Sequence, residues 1–320
     1  MIRLLKTIRL AIIVLFVISG LWFQTISAGE QTQFRADHMV TESVTNGHYV
    51  FAATQDGKIN CFNLRTNQRE QNLIELKAVH VDAYPPVIYS LALSPDKKLL
   101  VAGSGLSKIY IFSLKSRRLL KSIIIEGIEN ILVVRFLDSS RVLLGLMDGT
   151  VRLLRWQENQ ELYRSKIELD PINNIQLSED HQLMAITSAT SSIKIASAET
   201  GTVIKELEKH TDTIYGLAFA GNHTLFSGSK DKSLLKWNIK TGRSTVLYKS
   251  DFYINSVAWN GKTEIAFHLP DYRIGIMKLS TQTVTHVLSG HSAFINTLFF
   301  LGSDLLMSSG NDARVIIHQL

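Results

Sequence analysis

One cysteine, Cys61, is found among the 320 residues of this chain. A lone cysteine cannot close an intramolecular disulfide, and it leaves no paired thiols for zinc and no CxxCH site for haem. Cys61 lies in the apolar run INCFNL, which reads as a strand, so a buried and unreactive thiol is expected. The ten histidines include no ligand-spaced pair. No glycine-rich phosphate loop appears, and no two carboxylates are marked out for acid–base work. The expectation is therefore no metal and no cofactor. Charge is sparse too, at 19% of residues with a formal net of +6. No arginine-rich run or basic stripe interleaved with aromatics is present, which argues against nucleic acid as a partner. The 45% hydrophobic share is ample for a packed core and far from a disordered composition.

The first 28 residues stand apart. Arg3, Lys6 and Arg9 precede the apolar run LAIIVLFVI, and Thr25-Ile26-Ser27-Ala28 supplies small residues for a cut after Ala28. This is the layout of a secretory signal peptide. The alternative is an uncleaved N-terminal anchor, since Leu10 to Phe23 is nearly long enough to span a bilayer. Either way the basic flank stays inside and residues 29–320 are exported, with a bacterial periplasm as the expected location. The segment has three basic residues and no acidic one, so the body keeps a net charge of only +3.

The body repeats. A turn residue precedes each strongly apolar strand at Asp56, Leu106, Asp148, Thr190, Asp231, Asp271 and Asp312, and successive markers stand 40 to 50 residues apart. A period of about 40–45 residues with several short strands per unit is the signature of four-stranded propeller blades, and seven markers imply seven blades. Inner strands are expected at Ile88–Leu93, Ile131–Phe136, Ile172–Leu177, Ile214–Phe219, Ile254–Trp259 and Ile295–Phe300. The longer first interval places an inserted loop over residues 79–86, where Pro85-Pro86 favours an extended path. Blade seven lacks an outer strand before the chain ends at Leu320, and Gln31 to Ala36 is spare to supply it. The expected fold is all-β: a single seven-bladed β-propeller over residues 29–320, closed by its N-terminal strand, with no open edge.

Blade five resembles the WD40 repeat family. His210, Ser227, Asp231 and Trp237 match the four places of that family's buried hydrogen-bonded network, with Lys209 in place of the usual glycine. Blade seven keeps Gly290-His291, Ser308 and Asp312, with His318 where the tryptophan would stand. A buried turn aspartate needs charge-assisted donors, which explains the recurring set. Elsewhere the pattern thins, and a related class of bacterial propellers with weak repeats remains open. The trio His210, Ser227 and Asp231 also suggests a catalytic triad. A nucleophilic serine needs exposure and an oxyanion hole, whereas this serine lies on an inner strand and recurs as Ser308 at the matching place of a second blade, as a structural device does.

Surface chemistry remains. Tyr253, Phe294 and Phe252, with Tyr84 from the inserted loop, stand at loop tips beside Lys230 and Asn311. They read as anchors for a protein partner, or else as rings that fold inward and plug the channel. The expected function is a monomeric, non-catalytic, exported protein-interaction platform. The overall plan resembles the exported WD-repeat accessory proteins of bacterial periplasmic nitrate reductase, which would imply a supporting role for a respiratory reductase complex. The alternative from another class is an enzyme, or a small-molecule or ion-binding propeller, with its site in the central channel.

Overall fold

The computed structural model describes residues 31–78, 84–127 and 130–320. The signal or anchor segment and residues 79–83 of the inserted loop, including His80, lie outside the described residues. The described chain forms seven antiparallel sheets of four strands each. Six are built from consecutive strands. In the seventh, Gln31–Arg35 pairs with Arg314–Gln319, placing Phe34 opposite Val315, so the N-terminal strand completes the last blade. The fold is the expected seven-bladed β-propeller with its closing strand in place.

The burial of each strand follows its position in the blade. Second strands such as Arg141–Leu146 are buried along nearly their whole length, because a neighbouring blade covers each face. Outer strands such as Arg118–Ile124 are mostly exposed. Among the described residues the core divides into seven apolar clusters, one at each junction between successive blades. The closing junction holds Phe34, Val40, Phe62, Met307 and Val315, with Phe34 stacked on Phe62 at 5.0 Å. The N-terminal strand thus ties blade seven to blade one by packing as well as by its ladder.

One position on each second strand faces the inner strand of the next blade. It is glycine in blades two, three and five, and there is no room for more: a Cβ on Gly103 would stand 2.7 Å from Val134, and one on Gly228 2.5 Å from Ile254. In blade six this position is His268, which is fully buried.

Two inner strands differ from expectation. Blade four's runs over Asn174–Leu177 and blade six's over Val257–Trp259, both shorter than the apolar runs that begin at Ile172 and Ile254. The reason is local: the N–H groups of Ile172 and Ile254 bond to Leu146 O and Ser229 O of the preceding blade at 3.1 Å each. Their first residues therefore serve as inter-blade links before the ladder starts.

Candidate functional site

The best-preserved repeat places its four polar residues in one chain of hydrogen bonds. His210 Nδ1 donates to Asp231 at 2.7 Å, His210 Nε2 meets the Ser227 hydroxyl at 2.7 Å, and Trp237 Nε1 donates to that hydroxyl at 2.7 Å. An indole N–H only donates, so Ser227 accepts from Trp237 and passes its own proton toward His210. Asp231 also accepts the N–H groups of Thr211 and Ser233 and the Ser233 hydroxyl. Burial draws the His210 pKa below the ordinary histidine value and outweighs the Asp231 carboxylate, which acts the other way. For Asp231, burial pushes upward, but the bonds from Ser233, His210 and Thr211 prevail and hold it low. Ser227 is fully buried and its hydroxyl is engaged on both sides. The arrangement clasps the outer loop to the blade.

Blade seven repeats the chain with one exchange. His291 Nδ1 lies 3.0 Å from both Asp312 oxygens, His291 Nε2 is 2.8 Å from Ser308 Oγ, and Ser308 Oγ is 2.8 Å from His318 Nε2. His318 stands where blade five has Trp237. With the same order of donors, His318 carries its proton on Nε2 and gives it to Ser308, as the indole does. Its Nδ1 is then left buried without a partner. Burial pushes the His318 pKa down to about 4, with the charge of His291 adding to the effect.

The upper face is the one that carries the outer-to-inner loops and the second-to-third turns. There the structure brings Phe252, Tyr253 and Phe294 together. Phe252 stacks on Tyr253 at 5.1 Å and on Phe294 at 5.7 Å. Sequence reasoning missed two members, His268 and Tyr272. Tyr272 meets Phe294 edge-on at 5.8 Å and lies over His268 at 6.3 Å, and His268 contacts Phe252 at 6.0 Å. Asp271 and Tyr272 are both left-handed, with φ of 59° and 56°, which is uncommon for so bulky a residue. The turn is held by ring packing together with the Arg273 N–H and Nε donating to Pro270 O. His268 has neither ring nitrogen hydrogen-bonded, and burial pushes its pKa down to about 4. An apolar pattern ending at a turn, with His268 where sister blades have glycine, was the available signal.

The other expected partner residues are placed separately. Asn311 adjoins the cluster, its N–H donating to Phe294 O at 2.9 Å. Lys230 pairs with Asp212 at 3.5 Å on blade five. Tyr84 does not join the rings: it is 94% exposed, and the adjoining Pro85-Pro86 closes over Gly57 and Gly105, at the junction of blades one and two. The loop that carries it is anchored to a different part of the ring. Phe252, Tyr253, Tyr272 and Phe294 are not among the residues that line a cavity of about 240 Å³ at the upper end of the inner strands.

The channel itself carries features not read from the sequence. Near the start of four inner strands, those of blades one, four, six and seven, a side chain reaches the next blade: Thr41 Oγ1 to Ile88 O (2.6 Å), Asn174 Nδ2 to Tyr215 O (2.9 Å), Asn255 Nδ2 to Ile295 O (3.0 Å) and Asn296 Nδ2 to Val40 O (2.8 Å). The Ile-Asn pairs at 254–255 and 295–296 were the legible signal; in blade four the reaching residue is Asn174, one place after the Ile172-Asn173 pair. Deeper in, Arg135 of blade three pairs with Glu42 of blade one at 3.1 Å and donates to Ser90 Oγ of blade two and Ile175 O of blade four. This pair lines both an upper cavity of about 240 Å³ and a lower one of about 580 Å³, and so stands between them.

Residues 201–238 match the family described as WD40: WD domain, G-beta repeat. The stretch 201–238 is a WD40 repeat. It contains the blade-five clasp in full. Among solved structures, the whole chain is similar to a chain of the "Crystal Structure of Mitotic Checkpoint Complex", with a TM-score of 0.79 over 98% of this chain and 99% of that one, at 14% identity. That likeness concerns the fold. Among curated proteins, the chain is 27% identical to THO complex subunit 6 of Homo sapiens over 175 residues, 49% of this chain and 51% of that protein. It is 28% identical to Periodic tryptophan protein 2 of Arabidopsis thaliana over 172 residues, 51% of this chain and 19% of that one. The matched segments thus span about half the length of the first relative and less of the second.

Proposed function

We propose that this WD-repeat propeller is a non-catalytic protein-interaction platform whose partner docks on the upper face over blades six and seven. The observation that carries this reading is the aromatic cluster of Phe252, Tyr253, Tyr272 and Phe294, four half-buried rings gathered from three different loops. Rings held by one another lose little freedom on binding and make strong anchors. Asn311 supplies a polar group beside them, while Lys230 on blade five and the exposed Tyr84 stand on loops apart from the cluster. The relatives lend support by their names: one is a complex subunit, and the structural neighbour is part of a checkpoint complex. The finer reading is an exported accessory factor of a bacterial periplasmic respiratory reductase, such as nitrate reductase. Its support is the layout of residues 1–28.

The test is co-purification from the periplasm of the source cell, comparing wild type with a Tyr253→Ala, Phe294→Ala double variant shown by urea unfolding to be folded. A partner retained by the wild type should lose about 2 kcal/mol or more of binding, roughly thirtyfold, in the variant. Equal retention would remove the docking reading. Absence of the protein from the periplasmic fraction would remove the finer one.

A further inference from the structure

Positive charge is concentrated on one blade. Residues 87–125, which make up blade two, hold seven basic side chains and one acid, Asp96, for a net of +6, whereas the rest of residues 29–320 sums to −3. Asp96 is taken by Lys98 at 3.4 Å, and Arg117 pairs with Glu70 of blade one. Lys97, Lys108, Lys115 and Arg118 have no ion pair among the described residues. The outer hairpin, from Lys108 to Ile124, carries five of the seven cations and no acid.

The same hairpin ends in an outer strand with an apolar surface. Leu119, Leu120 and Ile124 are 46%, 50% and 62% exposed, and among the described residues no other outer strand shows three large apolar side chains to solvent. The face toward blade three is occupied: Ile123 is buried in the cluster between the two blades, and Lys121 donates to Gln157 O at 2.5 Å. Closure of the ring still leaves each outer strand as the last of its own sheet, and Arg118–Ile124 is paired only with Lys108–Ser113. Alternate N–H and C=O groups along it therefore face outward without a strand partner. Lysines on a sheet edge ordinarily guard it against pairing, but such an edge is kept polar. This one sets aliphatic side chains between its cations.

We propose that the outer edge of blade two takes up an extended acidic segment of a protein partner as a fifth strand. Main-chain pairing satisfies the outward N–H and C=O groups, apolar side chains at alternate positions cover Leu119, Leu120 and Ile124, and carboxylates meet Lys115 and Arg118. The register shifts at Leu120, so the regular ladder runs from Lys121 to Ile124 and the charges supply much of the selectivity. An anionic lipid surface offers charge and apolar contact but no partner for the edge backbone groups, which are costly to bury unpaired in hydrocarbon. This edge is separate from the aromatic cluster of blades six and seven, and it adds a second docking surface to the platform.

The test uses the full propeller and no partner, so that it can fail separately from the upper-face reading. The probes are the peptide Glu-Val-Glu-Val-Glu-Val-Glu, its counterpart Lys-Val-Lys-Val-Lys-Val-Lys, a version with central proline, Glu-Val-Glu-Pro-Glu-Val-Glu, and phosphatidylglycerol vesicles, each followed by backbone amide NMR. The glutamate peptide should shift the amides of residues 118–124 and slow their hydrogen exchange, saturating in about the millimolar range or below. The lysine peptide should not bind, and proline, which removes a ladder donor, should weaken binding at least about threefold. Lys115→Glu with Arg118→Glu, both exposed, should weaken it at least about tenfold, while Tyr253→Ala with Phe294→Ala leaves it unchanged. Equal binding of the lysine or proline peptide, shifts centred elsewhere, exchange over 118–124 that is not slowed, or unchanged affinity in the folded charge variant would overturn the proposal. Vesicles that shift these amides where the glutamate peptide does not would overturn it in favour of a lipid surface. If the charge variant does not fold, the wild-type comparison of peptides and vesicles decides.

Discussion

Replacing His318 with glutamine should flatten the acid sensitivity of this propeller. In blade seven the His318 Nε2–H serves Ser308, and Nδ1 is buried with no acceptor within reach. Protonating the ring therefore puts an N–H, and a charge, where nothing receives them. The folded pKa of about 4 lies below the ordinary 6.5. The unfolded chain thus binds the extra proton first as pH falls, and stability drops from about pH 6.5 down to about pH 4, below which the loss is complete. The gap corresponds to about 3 kcal/mol from this one residue. A glutamine amide can donate to Ser308 but does not titrate. Its own oxygen inherits the orphaned place of Nδ1, and the imperfect fit should cost about 1–2 kcal/mol at every pH.

The wild type should accordingly be more stable at pH 7 and less stable at pH 4, with the two curves crossing between about pH 5 and 6. The assay is urea unfolding followed by tryptophan fluorescence at constant ionic strength across that range. His268 has a similarly lowered pKa, but it is present in both proteins and cancels in the difference. Curves that run parallel from pH 7 to pH 4 would refute the account of His318 as a neutral donor replacing the indole.

Two further outcomes test the closure and the core. Phe34→Ala should cost about 3–5 kcal/mol in urea unfolding, because the ring is buried at the closing junction and stacked on Phe62, and its loss weakens both; a cost below about 1 kcal/mol would mean the N-terminal strand contributes little to closure. Burial, the dominant influence, pushes the Cys61 thiol up to about 11 despite Arg117 alongside, so a thiol reagent at neutral pH should label it only as fast as the protein unfolds. Rapid labelling of the native protein would contradict this.

Periodicity alone determined most of the architecture. Seven turn markers about forty residues apart, with apolar strands between them, are local signals, and the repeat multiplies each until blade count and closure follow. The clasp at His210, Ser227, Asp231 and Trp237 was legible for the same reason, since its spacing recurs at His291, Ser308 and Asp312. Tertiary structure decided what the repeat leaves free. Whether His318 could stand for a tryptophan depended on its Nε2 meeting Ser308, a matter of distance and tautomer. Tyr84 and Phe252 looked alike as loop aromatics, yet one points to solvent over blades one and two and the other stacks in a cluster built around His268. The channel amides were visible as letters, but the carbonyls they reach were not. Asn174, Asn255 and Asn296 reach carbonyls across the gap between blades, and such a pairing is set by how the blades meet around the ring, which no single stretch of sequence contains.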